Sequence, residues 1–266
     1  MKGILAGLTA LVTALSPAIF PEEHSIQQSA PQSIVIDGNR LNLSFEDDFN
    51  GEELDLTKWE RCPEWDRQDG GGKWDDSKSY LDGNGNLIIE MAYDRTTNKY
   101  LSGAVRTKGL FEQKYGYYEI RCTLNTIPTY WTAFWLMGEN VGNVDQSGRD
   151  GTEIDIYESA YYKQGMIQHA LHWDGYGADH RSDGKKVVAD VYDGDYHTFS
   201  LLWTRNEYIF YIDGTETWRT TADLADGVCR EPLYMKISSE MGSWTGKMDN
   251  STLPDYMKVD YVRVYS

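Results

Sequence analysis

Cysteine is scarce in this chain of 266 residues, which has only Cys62, Cys122 and Cys229. Three cysteines permit at most one intramolecular disulfide and leave one free thiol. The chain is therefore not a small domain held together by several disulfides. No Cys or His spacing resembles a zinc site either. We expect the three side chains to be free, partly buried thiols.

Positive charge is also in short supply. The chain has 25 Lys and Arg against 42 Asp and Glu, a formal net charge of −17. A nucleic-acid or anionic-membrane binder needs a basic surface, and this composition does not provide one. We therefore expect no nucleic-acid partner.

Long apolar runs are missing after residue 20. Within 1–20 a single Lys precedes an apolar run broken by Pro17, which predicts a secretory signal peptide with a cleavage site after Ala18. The alternative is an uncleaved anchor, for which the run is marginal in length and lacks a basic flank. Residues 21–32 are polar and contain prolines, which predicts a flexible spacer. We expect a secreted monomer, off the membrane after cleavage, with one domain at 33–266.

Long helical periodicity is absent as well, and period-two alternation takes its place. At 118–124 and 199–203, less polar side chains alternate with polar ones, and Asp213-Gly214 predicts a hairpin turn. Many short strands without crossover helices indicate an all-β fold, an antiparallel β-sandwich of the jelly-roll type. Further strands are predicted at 41–45, 87–91, 132–137, 153–157, 167–172, 209–212, 233–237 and 258–265.

The segment with the most chemical content is Gly-Thr-Glu-Ile-Asp-Ile-Tyr-Glu-Ser at 151–159. On a strand, Glu153 and Asp155 share one face, and the intervening isoleucines point into the core. Strict alternation puts Glu158 on the core side. A β-bulge at or near Ile156 or Tyr157 would return it to the face of Glu153.

Three carboxyls in a row on one strand face would push their pKa values apart. One could then donate a proton while another stays anionic, which is the division of labour that glycoside hydrolysis needs. The alternative is a solvated acidic strand edge. The spacing alone does not exclude it, since in so acidic a chain the pattern arises roughly once by chance.

Residues around this segment resemble glycoside hydrolase family 16. Glu-Ile-Asp-Ile-Tyr-Glu at 153–158 is similar to the family signature, in the bulged form typical of laminarinase-like endo-β-1,3-glucanases and of agarases. The resemblance continues over nearly the whole chain after the predicted spacer. It is carried by 45–51, 102–124, 130–137 (with Thr132 where Pro is usual), 197–214 and 259–265.

The resemblance implies a jelly roll with a substrate cleft along its concave sheet, and retaining endo-hydrolysis of a polysaccharide. Carried over residue by residue, it makes Glu153 the nucleophile, Asp155 its hydrogen-bonding helper and Glu158 the acid/base. No cofactor is expected for catalysis.

Five further residues are candidates for substrate binding, each with a structural alternative. Trp131 and Trp135 match cleft positions of the family, although Trp135 could equally be core. Trp244 lies in a glycine-flanked loop and resembles a subsite tryptophan. Arg106 matches a cleft arginine, the alternative being an exposed cation. His172 could bind a sugar hydroxyl or be a structural histidine.

The resemblance also raises the possibility of a structural calcium away from the cleft. Asp260 matches an aspartate that holds this ion in family members. Glu46 and the turn at Gly85 could supply further oxygen ligands, which calcium prefers. The alternative is a solvent-facing acid in an alternating strand.

For the substrate, we expect a β-1,3 or mixed β-1,3/1,4 glucan, because the acidity of the chain favours a neutral polymer. Agarose, carrageenan and xyloglucan stay open as alternatives. So does a non-catalytic, lectin-like binding module, since the same sandwich serves both uses.

Overall fold

The computed structural model describes residues 29–66, 72–127, 130–247 and 249–266. The predicted signal peptide and most of the predicted spacer lie outside these residues. The last part of the spacer lies against the domain: Ala30 is buried, and its N–H donates to Glu46 Oε1 at 2.9 Å. Within the described ranges, no helix has the length and apolarity needed to cross a membrane.

Strands dominate the described residues, and the helices are 3₁₀ turns of three or four residues. The strands are β1 Ser33–Ile36, β2 Asn39–Asp47, β3 Glu60–Arg61, β4 Gly72–Trp74, β5 Ser79–Leu81, β6 Leu87–Asp94, β7 Lys99–Ser102, β8 Ala104–Arg106, β9 Glu112–Gln113, β10 Gly116–Cys122, β11 Tyr130–Met137, β12 Glu153–Tyr161, β13 Met166–Trp173, β14 Arg181–Val188, β15 His197–Trp203, β16 Tyr208–Ile212, β17 Thr215–Thr220, β18 Leu233–Met241 and β19 Asp255–Tyr265. The 3₁₀ helices are η1 Asp76–Lys78, η2 Glu139–Gly142, η3 Tyr162–Gln164, η4 Asp223–Ala225 and η5 Ser243–Thr245.

Two sheets make up the fold. The first has the order β17-β16-β15-β10-β19-β6-β7-β4, with β2 also on β19, β1 on β2 and β5 on β6. The second has the order β14-β13-β12-β11-β18-β8-β3, with β9 on β18. The pairings are antiparallel except for β4 with β7. The predicted antiparallel β-sandwich of the jelly-roll type is confirmed.

The core between the two sheets is rich in aromatic rings, which fill a wide sandwich with few side chains. Tyr157 of β12 packs on Phe199 of β15 with ring centroids 4.3 Å apart. Ile154 and Ile156 are fully buried in the same cluster, as the alternation predicted. The three cysteines are free thiols, and all are buried.

The strand predictions are confirmed for every apolar run, and the Asp213-Gly214 hairpin joins β16 to β17 with left-handed φ of 47° and 71°. Several strands were missed. The most consequential is β14, an exposed edge strand whose sequence, Arg-Ser-Asp-Gly-Lys-Lys-Val-Val, has no apolar alternation. It pairs with β13 along its full length, so pairing rather than burial defines it.

A single residue, Gly103, connects β7 of the first sheet to β8 of the second. A Cβ on Gly103 would overlap the carbonyl oxygen of Lys78. Around this corner, Ser102 Oγ donates to Ser239 O at 2.7 Å, and Ser239 N–H donates to Gly103 O at 3.0 Å. The crossing therefore fixes β18 and β8 against the first sheet.

We predict that Gly103→Ala lowers the free energy of unfolding by about 1–3 kcal/mol, because the backbone of Lys78 must move to admit a methyl group. Gly142→Ala is the matched control, since a Cβ there meets open space. Urea denaturation measures both. Equal midpoints for Gly103→Ala and the unmodified protein would mean that the corner relaxes without cost.

Candidate active site

Strand register aligns the side chains on the concave face of the second sheet in transverse rows, since directly paired residues point to the same face. The first row consists of Gly184, Ala170, Asp155, Trp135, Lys236 and Arg106, from β14 to β8. The second row consists of Lys186, Gln168, Glu158, Ala133, Ser238 and Ala104. The catalytic candidates thus lie near the middle of the sheet.

The predicted bulge is present in β12. Trp135 of β11 pairs with Asp155 and Phe134 pairs with Tyr157, which leaves Ile156 as the extra residue. The side chain of Ile156 stays in the core, and its carbonyl lies 2.6 Å from His169 Nδ1. Because of this residue, Glu158 returns to the concave face.

A cleft of about 680 Å³ crosses five adjacent strands from β13 to β8. Glu153, Asp155 and Glu158 line it together. The five predicted substrate-binding residues, Arg106, Trp131, Trp135, His172 and Trp244, line the same cleft. The structure therefore brings together all the predicted catalytic and substrate-binding side chains.

Burial and the charge of Asp155 raise the pKa of Glu153 to about 8. The Tyr176 hydroxyl donates to Glu153 Oε2, and the charges of His172 and Lys236 act in the same direction, towards the ionised form. The family resemblance assigns this hydrogen bond to Asp155. That assignment is wrong within the described residues, because the donor is Tyr176, from the turn after β13.

Burial raises the pKa of Glu158 well above its usual value, and the charges of Asp155, Glu153 and Glu240 raise it further. The Gln168 amide has the opposite effect: its Nε2 donates to Glu158 Oε2 at 3.2 Å, which lowers the pKa of Glu158. The two glutamates therefore titrate in different surroundings, because the charges of His172 and Lys236 favour the ionised form of Glu153 and the charge of Glu240 disfavours that of Glu158.

Asp155 is 4% exposed, and its Oδ2 faces His172 Nε2 at 3.3 Å, outside hydrogen-bonding geometry. Burial lowers the pKa of His172, but the adjacent Asp155 carboxylate outweighs burial and raises it. The other ring nitrogen of His172 lies 2.9 Å from His180 Nε2. His172 is therefore a partner of the central carboxylate.

Aromatic rings form one end of the cleft. Trp244 is 41% exposed and packs edge-on against Trp131 at 5.1 Å and Tyr161 at 5.6 Å. Its indole N–H donates to the Tyr161 hydroxyl at 3.2 Å. Trp131 is only 4% exposed, so the accessible ring surface at this end belongs to Trp244, with Trp131 supporting it.

Lys236 is a cleft residue that sequence analysis missed. It is 7% exposed, and its ammonium lies 3.7 Å from the ring centroid of Trp135 and 4.8 Å from that of Trp74. A lysine inside the apolar strand at 233–237 was the available signal. Because the cation covers a face of Trp135, this indole holds Lys236 and does not offer that face to a sugar.

Arg106 lies next to Lys236 in the first row, with its Nε 2.8 Å from Glu60 Oε2. Its side chain is 18% exposed, so the alternative of an ordinary exposed cation is wrong. The guanidinium faces the cleft and shares its charge with Glu60.

The residues proposed for calcium do not fit that ion. Asp260 Oδ2 lies 2.5 Å from Arg121 Nη1. Glu46 Oε1 accepts the N–H of Ala30 and lies 3.7 Å from Arg263 Nε. Gly85 belongs to a separate turn, whose hydrogen bonds are made by Asp82 and Asn86. Both carboxylates are balanced by arginines, so they do not present the uncompensated oxygen set that calcium favours.

Comparison with known proteins places residues 40–266 in a family described as beta-porphyranase A-D, GH16 domain. The chain belongs to glycoside hydrolase family 16. It is 25% identical over 280 residues to glucan endo-1,3-beta-glucosidase A1 of Niallia circulans, covering 92% of this chain and 40% of that protein. It is 28% identical over 244 residues to keratan-sulfate endo-1,4-beta-galactosidase of Sphingobacterium multivorum, covering 84% and 54%.

Among solved structures, the endo-beta-1,3-glucanase of Pyrococcus furiosus is similar, with a TM-score of 0.71 and 27% identity. The match covers 89% of this chain and 98% of that one. This chain therefore corresponds in extent to that glucanase structure, but it spans only about half, or less, of the two curated family 16 relatives.

We predict that Tyr176→Phe raises the pKa of Glu153 further, by about one pH unit, because it removes a donor that stabilises the carboxylate. An NMR titration of isotope-labelled glutamate carboxyls measures this directly. In the unmodified protein, Glu153 should ionise at a lower pH than Glu158. Tyr256→Phe, outside the cleft, is the control and should leave both titrations unchanged; a Glu153 titration that does not move in Tyr176→Phe would contradict the assignment.

Proposed function

We propose that this family 16 protein hydrolyses internal β-linkages of an extracellular polysaccharide with retention of configuration. The observation that carries the proposal is the pair Glu153 and Glu158, brought to one face of β12 by the bulge and given different hydrogen-bond partners, Tyr176 and Gln168. The extent of the cleft across five strands supports binding of a chain segment rather than a chain end. Secretion is proposed from the signal-like residues 1–20 alone.

In the first step, the carboxylate of Glu153 attacks the anomeric carbon while the carboxylic acid of Glu158 protonates the departing glycosidic oxygen. The C–O bond to the leaving sugar breaks as the bond to Glu153 forms. In the second step, Glu158, now a carboxylate, takes a proton from water, which attacks the same carbon and releases Glu153. Two inversions at one carbon retain the configuration.

Asp155 and Tyr176 support this cycle without forming bonds to the sugar. Tyr176 donates to Glu153 and orients it for attack. Asp155 carries a buried negative charge next to both glutamates, which helps to keep Glu158 protonated until the leaving group takes the proton. His172 partly offsets that charge.

A β-1,3 or mixed β-1,3/1,4 glucan is the first substrate candidate. It is supported by the relative named glucan endo-1,3-beta-glucosidase and by the structural similarity to an endo-beta-1,3-glucanase. The exposed indole of Trp244 supports stacking of an uncharged sugar face at one end of the cleft.

The roles of the two glutamates are tested with an activated aryl β-glycoside of a laminarin oligosaccharide. Such a substrate needs no proton on its leaving group, so Glu158→Ala should form the covalent intermediate and stall, with turnover reduced roughly a thousandfold. Azide should restore turnover and give the β-glycosyl azide. Glu153→Ala cannot form the intermediate, and azide should attack directly and give the α-azide.

Glu240→Ala removes a carboxylate of the same cleft on β18 and is the matched control, which should give no glycosyl azide. Proton NMR reads the anomeric configuration of each product. A β-azide from Glu153→Ala with an α-azide from Glu158→Ala would reverse the two roles. An inverted product from the unmodified enzyme would discard the mechanism.

A sulfated galactan is a second candidate, and Lys236 is the observation that favours it. The expectation of a neutral substrate rested on overall acidity, but the cleft itself holds the Lys236 ammonium beside the Arg106 guanidinium. Within the described contacts, Lys236 has cation–π partners and no carboxylate in ion-pair range. The family model and the relative that acts on keratan sulfate support the same candidate.

Reducing-end release from laminarin, lichenan, barley β-glucan, agarose, carrageenan, porphyran and keratan sulfate separates the two candidates. If the substrate is sulfated, Lys236→Met should lower kcat/KM on it roughly tenfold or more, because one charge-assisted contact is lost. Lys99→Met, an exposed lysine outside the cleft, is the charge-matched control. Hydrolysis of neutral glucans alone would exclude the second candidate.

A further inference from the structure

A second hollow, of about 290 Å³, lies on the concave face beside the catalytic cleft, over β13 and β14. His172 and Gln168 line both the hollow and the cleft. The two spaces therefore meet at the side chains that contact Asp155 and Glu158. The hollow extends the cleft towards the edge of the second sheet.

The floor of this hollow has almost no side chains. Gly184 and Ala170 continue the row of Asp155 to the sheet edge. Gly184 is also fixed by packing, because a Cβ there would lie 2.6 Å from the carbonyl oxygen of His169. The result is a trough that starts at the catalytic carboxylates and ends at β14.

Polar side chains line both sides of the trough. Ser182 pairs with His172 on one side, and Lys186 pairs with Gln168 on the other. Hydroxyl, imidazole, amide and ammonium groups together offer several hydrogen-bond donors within one small space. Such a lining suits a sugar ring, which presents oxygen acceptors around its whole edge.

Lys186 is the most specific of these groups. Its ammonium lies 3.9 Å from the ring centroid of Tyr161, which itself packs against Trp244 in the cleft wall. This contact holds the side chain over the concave face. In the described part of the chain, no carboxylate lies within ion-pair distance of Lys186, so its N–H donors have no competing acidic partner.

We propose that this hollow is a further sugar-binding subsite of the cleft and that Lys186 donates hydrogen bonds to the sugar held there. The proposal rests on the proposed polysaccharide hydrolysis and extends it to a site on the edge strand. The ligand is a sugar residue of the same chain that is being cleaved.

The position of Lys186 determines which sugar it contacts. The backbones of Lys186 and Glu158 are two strand spacings apart, about 10 Å. Lys186 lines the hollow and not the cleft that holds Glu153 and Glu158, so it lies outside the space in which the bond is broken. Lys186 therefore contacts a sugar residue away from that bond. Only the cleavage of substrates long enough to reach β14 should depend on Lys186.

The experiment measures kcat/KM for a ladder of laminarin oligosaccharides of increasing length, or the corresponding ladder of whichever polymer the enzyme cleaves. Lys186→Met should lower kcat/KM roughly tenfold on long members and leave the shortest cleaved member unchanged, as expected for one lost hydrogen bond to a charged donor. The product pattern should shift at the same lengths.

Lys163→Met is the matched control. Lys163 lies 5.8 Å from the ring of Tyr162, so it is also a lysine over a tyrosine, but it does not line the hollow. It should behave like the unmodified enzyme at every length. Thermal unfolding of both variants checks that neither change alters the fold.

Equal kcat/KM for Lys186→Met and the unmodified enzyme at every length would overturn the subsite and leave the hydrolytic function standing. A loss that is the same at every length would also overturn it, since that is a general charge effect. Binding of the ladder to Glu153→Ala, with and without Lys186→Met, gives the test without turnover. A length-dependent loss of affinity there, without reducing-end release by the unmodified protein, would support the subsite and overturn hydrolysis.

Discussion

One extra residue in β12 determines which carboxyl side chains lie together on the concave face. A strand alternates faces with a period of two, so Glu153 and Glu158 cannot share a face in a regular strand. The bulge at Ile156 changes that relationship and leaves the isoleucine itself in the core. It is tolerated because the packing of Tyr157 on Phe199 and the contact of the Ile156 carbonyl with His169 Nδ1 hold the surrounding strand in place.

The carboxylates that the bulge assembles would repel one another without their neighbours. Each carboxyl group contacts a different side chain: Glu153 contacts Tyr176, Asp155 contacts His172 and Glu158 contacts Gln168. His172 and Gln168 come from β13, and Tyr176 comes from the turn that follows it. A single adjacent strand and its turn thus convert three similar acids into three different environments, and the chemistry of the cleft depends on those differences.

The sequence was sufficient for the sandwich, because its buried strands alternate. It also located the bulge, because only an extra residue near Ile156 or Tyr157 returns Glu158 to the face of Glu153. The sequence was insufficient where a strand is defined only by its pairing, or where side chains from distant parts of the chain come into contact. The strand β14 has no apolar pattern and exists through its ladder with β13. Lys236 meets Trp74 and Trp135 only after three separate strands come together. The arginines that balance Asp260 and Glu46 lie on other strands, so the sequence did not show that these proposed calcium ligands face cations.

The buried thiols offer a way to observe motion in this fold. Cys62 is packed with Trp74, Ala133 and Trp135 beneath the cleft, and burial raises its pKa to about 11. Only the thiolate reacts quickly with alkylating reagents, so Cys62 is protected as long as the cleft floor is closed. Cys122 and Cys229 are enclosed in the main core instead. The labelling rate of Cys62 relative to the other two would therefore report how often the cleft floor opens independently of the whole sandwich.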